Sequence, residues 1–226
     1  MKTRILALVL AVLCLWTASA CADYFSPAAV TVNGTVYTPD ELENAMRLHL
    51  IEASLNCISN GYGYDVTDPL NIIDALDKVL FDMELRVVVM ELAEEMEAAE
   101  LSPEAEEAAQ AEAHETWLGY LALANSEQGR AMLPAGEFEE VEGDTEGNLI
   151  RYLASWGLTE DVLVDDARYW MVEEQLKQAV AGTLADEDEQ LDFYTDWLLE
   201  WYDQADIEES GVGVAEVVLN LAVPEN

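Results

Sequence analysis

The side chains that most often carry out catalysis are scarce in this sequence. Only two of its 226 residues are histidines, and three are cysteines. His114 lies between Glu112 and Glu115, but acid–base chemistry there would also need a pocket and a partner from elsewhere in the fold. The pattern favours a solvated helix face for His114 and a half-buried structural position for His49. Since there is also no Ser-His-Asp order and no glycine loop for phosphate, we expect no catalytic residue and no cofactor.

Carboxylates are the abundant chemical group. The chain has 47 acidic and nine basic residues, a formal net charge of −38. This charge repels nucleic acids and anionic lipids, and it attracts cations and basic proteins. The run Asp186–Glu189 could hold Ca²⁺ weakly, but it lacks the EF-hand spacing. Acids are also typical of a helix N-terminus, so we predict no metal site there.

Aromatic residues crowd the second half of the chain and offer the best candidates for a binding site. Helical periodicity places Tyr194 and Trp201 on one face of the last long helix, and Phe193 and Trp197 on another. A helix with two apolar faces is either buried on both or presents one to a partner. Both alternatives are open, with burial favoured. The candidate residues for binding an unfolded or basic polypeptide are Phe193, Tyr194, Trp197, Trp201 and Tyr202.

The first twenty residues have the pattern of an export signal. Lys2 and Arg4 precede a twelve-residue apolar run, 5–16, that is too short to span a bilayer. The sequence Ala-Ser-Ala-Cys at 18–21 fits an ordinary signal-peptidase site, and it also resembles a bacterial lipobox with Cys21 acylated. We favour the lipid anchor at Cys21. The expected location is extracytoplasmic and lipid-anchored at the cell membrane, with a soluble periplasmic or secreted protein as the alternative.

Cys57 is interpreted together with Cys21. If Cys21 carries lipid, Cys57 stays single and is expected to be a small buried residue on a helix. If cleavage is of the ordinary type, a Cys21–Cys57 disulfide is the alternative. Two thiols so far apart in sequence make no metal site.

Hydrophobic patterning predicts a mainly α fold, an elongated helical domain with a small N-terminal β-hairpin and a short C-terminal strand. The hairpin is expected around Asn33-Gly34. Residues 126–148 are expected to form a loop, and residues 214–223 the strand. Helices are predicted at about 38–59, 67–100, 102–125, 149–156, 159–182 and 186–209. The domain map is a signal peptide at 1–20, a tether at 21–28, one helical domain at 29–205 and a tail with one strand at 206–226.

Three segments, in order, carry a family resemblance. Residues 29–42 contain Val-Asn-Gly and then Thr-Pro-Asp-Glu-Leu; residues 76–104 contain a long helix that stops before Leu-Ser-Pro-Glu; residues 157–194 contain Gly-Leu-Thr-Glu and Asp-Glu-Asp-Glu-Gln-Leu. Together they resemble the N-terminal chaperone region of SurA/PrsA-type extracytoplasmic foldases, which is related to the C-terminal domain of trigger factor. The resemblance covers about residues 28–205 and implies a domain that holds unfolded exported polypeptides.

The resemblance also implies a parvulin-type prolyl isomerase module after this region, and here the sequence departs from it. Residues 214–219 look like the first strand of that module, but Val217 stands where a histidine is expected. The remaining residues are too few for the rest, so we expect no parvulin activity. PrsA-like proteins are often rich in lysine, so the family's client range is not carried over to this acidic chain.

These observations predict an exported, membrane-anchored, chaperone-like protein that binds unfolded or partly folded secreted or envelope polypeptides without catalysis. The expected membrane contact is the lipid at Cys21, and no nucleic acid is expected. One alternative is an acidic docking or structural subunit with a single basic partner. Another is a peptidyl-prolyl isomerase-family member that retains weak activity.

Overall fold

The computed structural model describes residues 28–136 and 138–222, and within them the fold is mainly α, as predicted. The export signal, Cys21 and nearly all of the tether lie outside these residues. The helices are α1 (Pro39–Ser59), α2 (Pro69–Glu95), α3 (Pro103–Asn125), α4 (Glu127–Met132), α5 (Thr145–Ser155), α6 (Glu160–Ala181), α7 (Glu187–Tyr202) and α8 (Gly211–Ala222). The strands are β1 (Val30–Val32), β2 (Thr35–Tyr37) and β3 (Ile207–Glu209).

The predicted N-terminal hairpin is confirmed. β1 and β2 pair antiparallel, and the turn residues Asn33 and Gly34 have φ values of 50° and 87°, the left-handed conformations that such a tight turn requires. β3 pairs antiparallel with the other edge of β1, which gives the order β2-β1-β3. The Asn33 side chain accepts a hydrogen bond from the Asp206 backbone N–H at 2.8 Å and so fixes the start of β3.

The predicted strand at residues 214–223 is wrong, because residues 211–222 form α8. Its valines suit a strand by intrinsic propensity, yet they also recur at helical spacing, and Val214 and Val217 are buried while Val212 is exposed. Close packing holds α8 in place, since a Cβ at Gly213 would come within 3.0 Å of the Ala28 carbonyl oxygen. The short C-terminal strand is β3, which lies in the region expected to end the last long helix.

Local capping signals predicted the helix starts well. At α1, the Thr38 backbone N–H and hydroxyl donate to the Glu41 carboxylate at 2.7 and 2.8 Å, and these bonds hold the pKa of Glu41 below its usual range. The Ser102 hydroxyl accepts from Ala105 N–H at the start of α3, and the Thr159 hydroxyl accepts from Val162 N–H at the start of α6.

Two other boundaries differ from the prediction. α2 ends at Glu95 and not near residue 100, because Glu97 adopts a positive φ of 58° and the Ala98 N–H bonds back to the Ala93 carbonyl. The expected loop at 126–148 contains α4, and α5 begins at residue 145, because the Asp144 carboxylate accepts from the Gly147 N–H at 3.1 Å.

The described chain divides into two compact units. The first contains residues 28–50, 66–84 and 206–222, and the second contains residues 51–65 and 85–205. Within the second unit, α3 packs along α6, and α6 packs against α7. The single helical domain expected at 29–205 stays a prediction. Across the part of the chain that the structure describes, no helix is both long and apolar enough to cross a membrane.

Candidate binding site

α7 carries the five candidate binding residues, and its buried side faces α6. Tyr194 and Leu198 are only 4% and 6% exposed. The Tyr194 hydroxyl donates to the Glu173 carboxylate on α6 at 3.5 Å, and burial together with this carboxylate raises the pKa of Tyr194 above its usual range. Tyr194 is therefore a packing residue, and Tyr202 is half-buried.

Three of the candidates form one aromatic row on the side of α7. Phe193, Trp197 and Trp201 follow each other at steps of four residues, which places them along one flank of a helix. The rings of Trp197 and Trp201 lie 6.3 Å apart at 63°, an edge-to-face arrangement. Phe193 is 49% exposed and Trp201 is 42% exposed, while Trp197 is half-buried. The seven-residue spacing keeps Trp201 on the same face of the helix as Tyr194, as predicted, but Tyr194 is buried and Trp201 is exposed. The Trp197 ring lies between them, 6.1 Å from the Tyr194 ring.

Carboxylates border this aromatic row. Helical periodicity places Glu189, Asp196 and Glu200 beside it, and all three are exposed. The favoured burial of the aromatic helix is therefore correct for Tyr194 but wrong for Phe193 and Trp201. Because apolar rings and negative charge lie together, this flank can bind a segment that offers apolar and basic side chains.

The acidic run before α7 has a structural role. The Asp186 carboxylate caps the helix by accepting from the backbone N–H groups of Asp188 and Glu189 at 3.0 and 3.1 Å. The described residues contain no group of three or more His, Cys, Asp or Glu side chains arranged to hold a metal ion.

The two histidines occupy surface and half-buried positions. His114 Nδ1 lies 2.6 Å from the Glu160 carboxylate, and both side chains are exposed. The structure thus supplies a partner across the fold, as acid–base chemistry would require, but it places the pair at the surface, as the solvated-face interpretation predicted. His49 is half-buried on α1, and burial lowers its pKa. Cys57 is also half-buried on α1, and Cys21 lies outside the described residues, so its acylation and a disulfide to Cys57 both remain predictions.

Sequence analysis missed a cleft of about 600 Å³ in the second unit. Its walls come from α2, the α2–α3 connection, α3 and α6. No local signal marks it, because four separate segments build it. The lining includes Arg86, Met90, Glu100, Leu101, Glu106, Asp165, Arg168, Tyr169 and Val172.

No family model, curated protein or solved structure matches this chain. The resemblance to the chaperone region of extracytoplasmic foldases therefore stays a prediction based on the three sequence segments. What the structure adds is a mainly helical fold with an exposed, acid-bordered aromatic row and a partly apolar cleft. Both features are candidates for binding another molecule.

Proposed function

We propose that this protein is an exported, lipid-anchored, chaperone-like protein that binds unfolded or partly folded secreted polypeptides without catalysis. The observation that carries this proposal is the aromatic row on α7, in which Phe193 and Trp201 leave about half of their surface to solvent. Aromatic side chains provide large apolar contact areas, and an unfolded chain exposes the apolar side chains that would cover them.

The acidic border gives the row a preference among clients. Removal of Lys2 and Arg4 with the signal leaves seven basic and 47 acidic residues, a net charge of −40. This charge favours extended segments that carry lysine or arginine beside apolar residues. It also keeps the complex soluble, because like-charged complexes repel one another.

The expected lipid at Cys21 would keep this binding activity at the membrane, where exported chains emerge unfolded. A bacterial lipoprotein carries two or three acyl chains, and more than one chain is needed for stable anchoring. Support for this part of the proposal comes from the sequence of residues 1–21.

The test is suppression of aggregation of a chemically unfolded client, followed by light scattering, at low and high salt, with a soluble form that lacks the export signal and Cys21 (residues 22–226). We expect suppression that persists at high salt, because apolar contact is little screened. The double variant Phe193→Ser/Trp201→Ser removes the exposed part of the row and is expected to lose most of the suppression.

A matched control lies on the same helix. Leu191 and Leu199 are 54% and 42% exposed but lie outside the row, so Leu191→Ser/Leu199→Ser is expected to behave as the unmodified protein. Failure of the unmodified protein to suppress aggregation at several-fold excess would rule out a general chaperone. Equal losses in the two double variants would show that the aromatic row is not the surface that binds the client.

The competing proposal is an acidic docking subunit with one basic partner, and the bordering carboxylates are what favour it. It predicts a single stoichiometric partner in a pull-down and strong weakening of that complex by salt. The chaperone proposal predicts many partners and weak salt dependence. An X-Pro peptide assay addresses the isomerase alternative, for which we expect no rate acceleration.

A further inference from the structure

The cleft in the second unit combines an apolar floor with a charged rim. Met90 on α2, Leu101 in the α2–α3 connection, and Tyr169 and Val172 on α6 supply the apolar lining. Its volume of about 600 Å³ lies in the range of known ligand pockets, roughly 300–1,000 Å³. The space is enough for the side chain of a bound peptide.

Both arginines of the cleft are already engaged by the protein. The Arg86 guanidinium lies 4.2 Å above the Tyr169 ring and forms an ion pair with Asp166. Arg168 Nε donates to Glu106 at 2.8 Å, and its Nη1 donates to Asp165 at 3.2 Å. The hydrogen bond from Arg168 to Glu106 raises the pKa of this guanidinium. The two arginines therefore brace α6 against α2 and α3.

The charge left over in the cleft is negative. Three carboxylates and two guanidinium groups line it, and Glu100 has no ion-pair partner among the described residues. An anionic ligand would have to displace carboxylates from the arginines against the negative field of the whole chain. A cationic group could pair with the Glu100 carboxylate without displacing another side chain. The apolar lining of the cleft could then cover the aliphatic part of the same ligand.

We infer that this cleft binds the side chain of a lysine or arginine of a client segment, with the aliphatic stem on Met90 and Leu101 and the cationic end at Glu100. Long basic side chains commonly divide their contacts in this way. The inference rests on the proposed function, and it adds a site that selects among clients.

The test uses three labelled peptides and the soluble form, residues 22–226, with binding measured by fluorescence anisotropy. The peptides share one apolar sequence and carry lysine, norleucine or glutamate at the central position. We expect the lysine peptide to bind about threefold more tightly than the norleucine peptide, as one partly exposed ion pair would give, and the glutamate peptide to bind most weakly.

Two variants with the same change in net charge decide whether the cleft causes the preference for the lysine peptide over the norleucine peptide. Glu100→Gln is expected to abolish the preference for lysine over norleucine. Glu107→Gln, an exposed position on α3 outside the cleft, is expected to keep it. A preference that survives Glu100→Gln would overturn the inference, and so would an equal loss in both variants, which would indicate only the long-range field of the chain.

The same peptides separate this inference from the proposed function. Phe193→Ser/Trp201→Ser is expected to weaken binding of all three peptides while the ratio of lysine to norleucine affinity stays the same. If the unmodified chain binds none of the peptides, the proposed function fails and the cleft inference fails with it. If binding depends on the aromatic row but Glu100→Gln leaves the ratio unchanged, only the cleft inference fails.

Discussion

Different kinds of contact stabilise the interior of each compact unit. In the first, β3 pairs with β1, so segments near the two ends of the described chain meet. Asn33 and its hydrogen-bond partner Asp206 are 173 positions apart in the sequence. α8 completes this unit through Val214, Ala215 and Val217. In the second unit, α6 packs against both α3 and α7, and the Arg168–Glu106 ion pair joins α6 to α3.

The two units also differ in how many aromatic side chains they expose. Of the five aromatic side chains that are exposed among the described residues, only Phe81 lies in the first unit; the others are Tyr62, Trp170, Phe193 and Trp201. One polar group of this surface already has a partner within the protein, because the Trp170 indole N–H donates a hydrogen bond to Asp166 at 3.1 Å. The comparison indicates that stability of the first unit depends on its C-terminal residues, whereas most of the exposed aromatic surface, including the proposed binding row, belongs to the second unit.

The largest expected effect is a loss of stability of the first unit when a charge is placed in the buried face of α8. Val217 is fully buried, and an aspartate there would place an unpaired charge in the core. We expect Val217→Asp to lower the free energy of unfolding by about 4 kcal/mol or more. Urea unfolding followed by far-UV circular dichroism measures this change.

Val212→Asp is the matched control on the same helix. Val212 is 44% exposed and lies in the first turn of α8, where a negative charge is favourable. Its effect is expected to stay within about 0.5 kcal/mol. Equal losses for the two substitutions would show that α8 does not pack as described.

A smaller effect separates packing from binding on α7. Tyr194→Ala removes a buried ring and is expected to lower the free energy of unfolding by about 3 kcal/mol. Trp201→Ala removes a ring that is 42% exposed and lies edge-to-face with Trp197, and it is expected to lower the free energy of unfolding by only about 1.5 kcal/mol. All five tryptophans that the structure describes lie in the second unit, so their fluorescence in a urea titration follows this unit. If Trp201→Ala costs as much as Tyr194→Ala, the aromatic row belongs to the core and is not a binding surface.

The features of the fold that could be predicted correctly are those set by residues close together in the sequence. Asn33-Gly34 is a turn signal by itself, and Thr38 with Glu41 forms a complete capping box within four residues. α8 was mispredicted because a valine-rich segment suits a strand or a helix, and packing against the N-terminal segment decides between them. β3 gave no strand signal, since two of its three residues are glutamates and β1 supplies the pairing.

The geometry of the candidate binding site was predictable only in part, because it depends on contacts between helices that are far apart in sequence. The spacing of Phe193, Trp197 and Trp201 is visible in the sequence, but which flank of α7 stays exposed depends on how the helix meets α6. Glu173 on α6 helps to fix this orientation through Tyr194. The cleft was not predictable, because its lining joins Arg86 to Arg168 across 82 positions of sequence.

The smallest effect that we predict is a loss of stability of the second unit at alkaline pH, caused by ionisation of Tyr120. The Tyr120 hydroxyl donates to Glu52 at 3.5 Å, and burial together with this carboxylate raises the pKa of Tyr120 to about 12. In the unfolded chain a tyrosine ionises near pH 10. The stabilisation from neutral Tyr120 is therefore fully present below about pH 10, and it is lost as the pH rises towards 12, because the unfolded state releases the proton first.

Tyr120→Phe tests this effect, since phenylalanine keeps the ring and removes the titration. The free energy of unfolding of the unmodified protein is expected to fall between about pH 10 and 12. Because Tyr120 is only half-buried and solvent screens its charge, its contribution to this fall is at most about 2 kcal/mol. The variant should show a shallower fall, while at neutral pH it should differ from the unmodified protein by no more than about 1 kcal/mol. Tyr152 and Tyr194, whose pKa values burial also raises, lie in the second unit too, so some alkaline loss remains in the variant. Tryptophan fluorescence should record the difference, and identical slopes for the two proteins would show that Tyr120 is not held neutral by its surroundings.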